Sequence, residues 1–127
     1  MKPETFKSYE FYHRPIPVNS YKTVYRGYKR ISKRGREFRD NMEKTLKSMK
    51  LTPTSEPLFV FVDLYFRTGV AGDTDNYMKC IFDSLEGHLY NNDKQIISFL
   101  PSKHVKVGYD KIKLATVELK RGNYAIC

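Results

Sequence analysis

Ten consecutive residues, Leu58-Phe59-Val60-Phe61-Val62-Asp63-Leu64-Tyr65-Phe66-Arg67, constrain the fold of this chain more than any other stretch. Aromatic and β-branched side chains dominate the run, and such residues fit a pleated strand. The run is apolar on both faces, as expected of a central strand. The loop Thr68-Gly69-Val70-Ala71-Gly72 ends it, and a helix is expected from about Asp75 to Glu86, with Gly87 as its C-terminal stop. Met78, Ile81, Phe82 and Leu85 fall on one stripe of that helix.

The remaining elements follow from the same periodicities. Residues 5–13, carrying Phe6, Tyr9 and Phe11, predict a first strand halted by Pro15 and Pro17, which donate no backbone hydrogen bond. Residues 14–33 read as an ordered but irregular basic loop. A helix starts at Ser32 or Gly35 and runs to about Met49 on the stripe Phe38, Met42, Leu46, Met49. Residues 51–57, with two prolines, form a connector. Residues 95–100 and 111–119 predict two further strands, with Lys103 to Val107 extending the first. The order β-α-β-α-β-β points to an α+β fold: two helices on a mixed sheet of roughly four strands. A length of 127 residues leaves room for one domain, 1–127, with a single modest core.

Charge narrows the function classes. Residues 1–50 hold 14 Lys/Arg against 5 Asp/Glu, whereas residues 51–127 hold nine of each, so the net +9 resides entirely in the first half. Tyr9, Tyr12, Tyr21, Tyr25 and Tyr28 interleave there with Arg14, Lys22, Arg26, Lys29 and Arg30. Cations neutralise phosphates and rings stack on unpaired bases, so this half is a candidate nucleic-acid grip. A solvated basic face with partly buried tyrosines is the plainer alternative. No run of 18 apolar residues exists. The N-terminus has no apolar core of a secretory signal, and Cys80 and Cys127 make neither a metal spacing nor a disulfide framework. A reducing cytoplasm is the expected setting. His13, His88 and His104 are scattered and read as surface or packing residues.

The acidic residues gather elsewhere. Asp73, Asp75 and Lys79 flank the start of the second helix, and Asp93 follows in Asn91-Asn92-Asp93. Oxygen-only donors of this kind suit Mg²⁺ or Mn²⁺ rather than zinc. One aspartate could simply cap the helix, and Asp75 with Lys79 at i+4 could be an ordinary ion pair. An EF-hand from Asp73 fails because Met78 stands where glycine is needed. An aspartyl phosphatase would need a larger doubly wound fold, and no Gly-x-x-x-x-Gly-Lys loop is present.

Asp73-x-Asp75-Asn76-x-x-Lys79, then Asp83 and Leu85, then Asn92-Asp93-x-Gln95-Ile96, resembles the signature of the RusA family of Holliday junction resolvases. Pro15-x-Pro17-x-Asn19-x-Tyr21 and Ile31-Ser32-x-x-Gly35-x-x-Phe38-Arg39-Asp40 resemble that family's early segment, so the likeness runs from about residue 12 to about 119. The resemblance implies a small homodimeric, Mg²⁺-dependent endonuclease of phage or prophage type. It would nick four-way DNA junctions symmetrically in recombination and repair, inside a bacterial or phage-infected cell. It assigns Asp73, Asp75 and Asp93 to the metal and Lys79 to the developing phosphoryl charge. Arg14, Asn19, Tyr21, Lys22, Arg26, Lys29, Arg30, Lys33 and Arg34 are the expected DNA contacts. The family commonly carries an Asp-Asp pair where this chain has Asn92-Asp93, so the catalytic role passes to Asp93 alone. Two alternatives stay open: a fork or flap nuclease with looser preference, and a DNA-binding module that cuts nothing.

Overall fold

The computed structural model describes residues 6–18, 22–25, 27–69 and 73–119. Strand β1 (Phe6–Phe11) is followed by β2 (Lys22–Tyr25) and β3 (Tyr28–Ile31), then helix α1 (Lys33–Met49). Strand β4 (Leu58–Tyr65) leads to α2 (Asp75–Leu85), and β5 (Ile96–His104) and β6 (Lys111–Glu118) close the order. The main sheet runs β1-β6-β4-β5, with β4 and β5 parallel and the other neighbours antiparallel. The expected α+β fold, with two helices and a four-stranded mixed sheet, is what forms.

One expectation fails. Residues 22–31 are not irregular: β2 and β3 pair antiparallel as a separate two-stranded sheet, with Tyr25 opposite Tyr28. Gly27 takes φ +80 in the connection, a conformation open to glycine without steric cost. The polar, cation-rich strands show no apolar alternation strong enough to announce them.

Ser32 starts α1 as foreseen: its hydroxyl accepts from the Gly35 amide at 2.9 Å, satisfying an otherwise orphan donor. Phe38, Met42 and Leu46 are buried along its stripe. Helix α2 buries Tyr77, Met78, Ile81, Phe82 and Leu85, and Gly87, at φ +86, ends it. Both helices cover the same face of the sheet, where Leu58, Val60, Val62, Leu64, Ile112, Leu114 and Phe11 complete one core.

Strand β4 is central in the sheet, yet only one of its faces is buried. The alternate residues Phe59, Asp63 and Tyr65 are half-buried and Phe61 is exposed, because no described helix covers that side. The strand's two-sided apolar character therefore reflects a second, open face rather than a second layer.

The β4–α2–β5 crossover places the two acidic segments. A parallel pair requires the chain to return along the sheet between its strands. Helix α2 makes that return, so its N-terminus lies at the C-terminal end of β4 and its C-terminus near the start of β5.

Candidate functional site

Asp73 and Asp75 flank the first turn of α2, both exposed. Thr74 occupies the cap position without a side-chain cap bond, and the backbone carbonyl of Asp73 accepts from Asn76. Among the described residues neither aspartate side chain takes part in a cap, so capping does not explain the pair.

Lys79, one turn on, does not pair with Asp75. Its ammonium lies 3.5 Å from Asp83 Oδ1, with the lysine side chain about half exposed. Both carboxylates stand four residues from Lys79, and sequence spacing alone cannot choose between them. An exposed pair of this length contributes under about 1 kcal/mol, so the lysine is not held for stability.

Asp93 sits at the other end of α2. Its amide donates to Glu86 Oε1 at 3.0 Å, and it opens a short 3₁₀ turn, Asp93–Gln95. Tyr90 is buried beneath, with its hydroxyl donating to the Phe82 carbonyl. Burial pushes the Tyr90 phenol far up, and the nearby carboxylates of Glu86, Asp93 and Asp83 push the same way. Tyr90 is therefore a permanent neutral donor pinning this corner to α2.

The turn bearing Asp93 is clamped chiefly by Gln95, with Asn91 assisting. Gln95 Oε1 accepts from the amides of Asn91 and Asn92, each at 2.9 Å. Its Nε2 donates to the carbonyls of Thr54, at 2.8 Å, and Glu56, at 3.0 Å. Asn92 Oδ1 accepts from the Lys94 amide at 2.9 Å, completing a capping box. Asn91 Nδ2 donates to Ser55 Oγ at 3.0 Å. Asn92 is thus a cap, a role that asparagine and aspartate fill about equally. Gln95 and Asn91 act as the clamp. The Asn-Asn-Asp-x-Gln spacing is the signal that could have exposed both.

Within one chain the three aspartates do not converge. Ten residues of helical rise, about 15 Å, separate Asp75 from Leu85, and Asp93 lies against Glu86 beyond that end. Among the described residues no three His, Cys, Asp or Glu side chains group closely enough to hold a metal ion.

The expected DNA contacts divide by position. Asn19, Tyr21 and Arg26 lie outside the described residues. Lys22 lies on β2 and Lys29 and Arg30 on β3, while Lys33 and Arg34 open α1. No acid lies in that first turn, where the helix dipole favours one; the cations there suit an anionic partner. Arg14 is tied down instead, 3.3 Å from Asp110 and over the Phe66 ring at 5.7 Å. The three histidines each hold a side-chain partner: His13 with Thr45, His88 with Glu43 and His104 with Asp63.

Comparison with known proteins completes the picture. The family model described as endodeoxyribonuclease RusA matches residues 14–115. That span contains both aspartate segments, Lys79 and the basic hairpin. Among curated proteins no match was found.

Proposed function

The chain belongs to the RusA family of endodeoxyribonucleases, and from that premise we propose that it resolves four-way DNA junctions by paired, Mg²⁺-dependent nicks. The observation that carries this reading is the coincidence of the family match with exposed Asp73, Asp75, Lys79 and Asp93. Its place of action on this reading is the cytoplasm of a bacterial or phage-infected cell, where the DNA is.

The donor set fits a hard divalent cation, because all three side chains offer carboxylate oxygens. Asp73 and Asp75 would hold it together with Asp93. Such a cation would supply polarisation of the scissile phosphate and activation of water. Lys79 stabilises charge developing on the phosphoryl oxygens. The hairpin and the first turn of α1 grip the backbone through sequence-independent charge.

The separation of Asp75 from Asp93 along α2 favours a homodimer. In a two-fold pair, the opposite ends of two such units can meet, so Asp73 and Asp75 of one protomer join Asp93 of the partner subunit. Two sites then act on two strands of like polarity.

Cleavage of a mobile four-way junction, with and without Mg²⁺ and beside fork, flap and duplex controls, tests the activity. Equal cutting of all branched substrates would favour the looser nuclease, and binding without cutting the non-catalytic module. Mixing Asp75→Asn with Asp93→Asn chains tests the dimer. If sites are shared, about half the mixed dimers are heterodimers with one intact site, and nicking returns. If each site lies within one chain, every site stays dead.

A further inference from the structure

We propose that the open face of the sheet carries a stacking platform for unpaired nucleotides, built from Tyr12, Tyr65, His104 and Tyr109. The proposal deepens the branched-DNA reading by naming a substrate feature, the bases that a branch point can release from stacking and pairing.

Strand register assembles the platform. Tyr65 on β4 lies opposite Lys111 on β6 and His104 on β5, and all three project from the uncovered face. Tyr12 follows directly on β1, whose Phe11 pairs with Ile112. The rings of His104 and Tyr65 stack at 4.6 Å and 14°, and those of Tyr65 and Tyr109 at 5.6 Å and 25°. A ladder of three rings results, with Tyr65 in the middle.

The ladder is set before any ligand arrives. The Lys111 ammonium lies 4.9 Å from the Tyr65 centroid, 5.5 Å from Tyr109 and 5.7 Å from Tyr12. It is also 3.3 Å from Glu10, and His104 is 3.3 Å from Asp63. Such bracing lowers the ordering cost of binding. Rings remain accessible at this face: Tyr109, at one end of the ladder, is 44% exposed, and Tyr12, beside Lys111, is 67% exposed.

Charge selects the occupant. The acids beside the rings are engaged, Glu10 with Lys111, Asp63 with His104 and Asp110 with Arg14, while Asp73 and Asp75 stand exposed beyond the end of β4. Arg67, Lys106 and Lys113 add further positive charge. Rings within a positive field fit a polyanion with exposed bases, for which stacking is the sequence-tolerant term. An acidic protein would use the charge but not the ladder. The platform is also well placed, because Tyr65 ends β4 at the end of the sheet where α2 begins with Asp75.

Binding of single-stranded oligo(dT) and of an equal-length duplex, both in EDTA, tests the idea without cleavage. The chain has 10 tyrosines and no tryptophan, so stacking should quench its intrinsic fluorescence. The double variant Tyr12→Ala/Tyr109→Ala should lose about tenfold or more in single-strand affinity, with duplex affinity within about twofold. Tyr12→Phe/Tyr109→Phe, which keeps the rings, should bind like the parent. Unchanged single-strand affinity in the alanine variant overturns the proposal, as does a parallel loss on duplex. A shift in oligomeric mass caused by the alanine variant also overturns it, since a second copy would then cover the rings. A chain that stacks single strands but cuts no junction would keep this inference and remove the proposed activity.

Discussion

Replacing Gln95 by alanine should damage the candidate site from a distance. The side chain makes four hydrogen bonds, two to the amides of Asn91 and Asn92 and two to the carbonyls of Thr54 and Glu56. A typical bond contributes a net 0.5 to 1.5 kcal/mol, roughly, and more when a partner is left dry. The two amides belong to exposed residues and can turn to water, whereas the carbonyls lie in the half-buried connector. Counting the carbonyl bonds in full and the amide bonds at half leaves three bonds' worth, a loss of about 3 kcal/mol. For a domain of this size each kcal/mol moves Tm by about 4 °C, so the midpoint should fall about 12 °C. Cleavage should fall further than stability explains. Asp93 rides on the clamped turn, and a displacement of about 1 Å at a reacting geometry can cost a hundredfold. Thermal melts by circular dichroism, paired with single-turnover nicking well below the new midpoint, separate the two effects. A Tm within about 2 °C of the parent would refute the clamp, and full nicking by a destabilised variant would refute its role in positioning Asp93.

Lys79→Ala should melt within about 1 kcal/mol of the parent, since its exposed pair with Asp83 contributes little. Nicking should fall on the order of a hundredfold or more; full single-turnover activity would remove Lys79 from the site. Asp75→Asn, nearly isosteric, should abolish nicking while DNA affinity stays level or rises, because a charge facing phosphate is lost; wild-type turnover in Mg²⁺ would contradict that. The hydrogen bond from His88, at 2.7 Å, holds the Glu43 carboxyl below the usual range. A depressed carboxylate stabilises the fold above the unfolded value, near 4.5, and loses that contribution as pH falls through the folded value. Glu43→Gln should therefore lower Tm modestly at neutral pH and converge with the parent as pH falls below about 4.5, which flattens the acid decline, as a melt series from pH 3 to 7 would reveal.

Helix α1 was legible because two local signals agree, the Ser32 cap and the apolar stripe from Phe38. The β4 run was equally plain, though its open side could not be read from the strand itself. The sequence shows which residues are apolar but not whether a layer covers them. The hairpin was missed because Lys22-Thr23-Val24-Tyr25 and Tyr28-Lys29-Arg30-Ile31 pair through backbone bonds and carry no continuous apolar face. Within the candidate site, the residue types were readable and their distances were not. Eighteen positions from Asp75 to Asp93 say nothing of the helix between them, which holds the two apart. Gln95 stood inside the motif, but its service to four backbone groups depends on the Thr54–Glu56 connector, far away in the chain.

The hairpin of β2 and β3 forms a sheet of its own rather than extending the main one. Two-stranded sheets are marginal in water when isolated, and this one is rich in like charge. Its amides should exchange with solvent by local opening, well before those of β4. Ile31 packs against the core, so drift there is constrained, whereas drift at the cationic positions Lys22, Lys29 and Arg30 is only loosely coupled to the survival of the domain. Substitutions at those three can retune grip on the substrate with little effect on the melting of the core. The most evolvable feature of the hairpin is thus its charge, not its pairing.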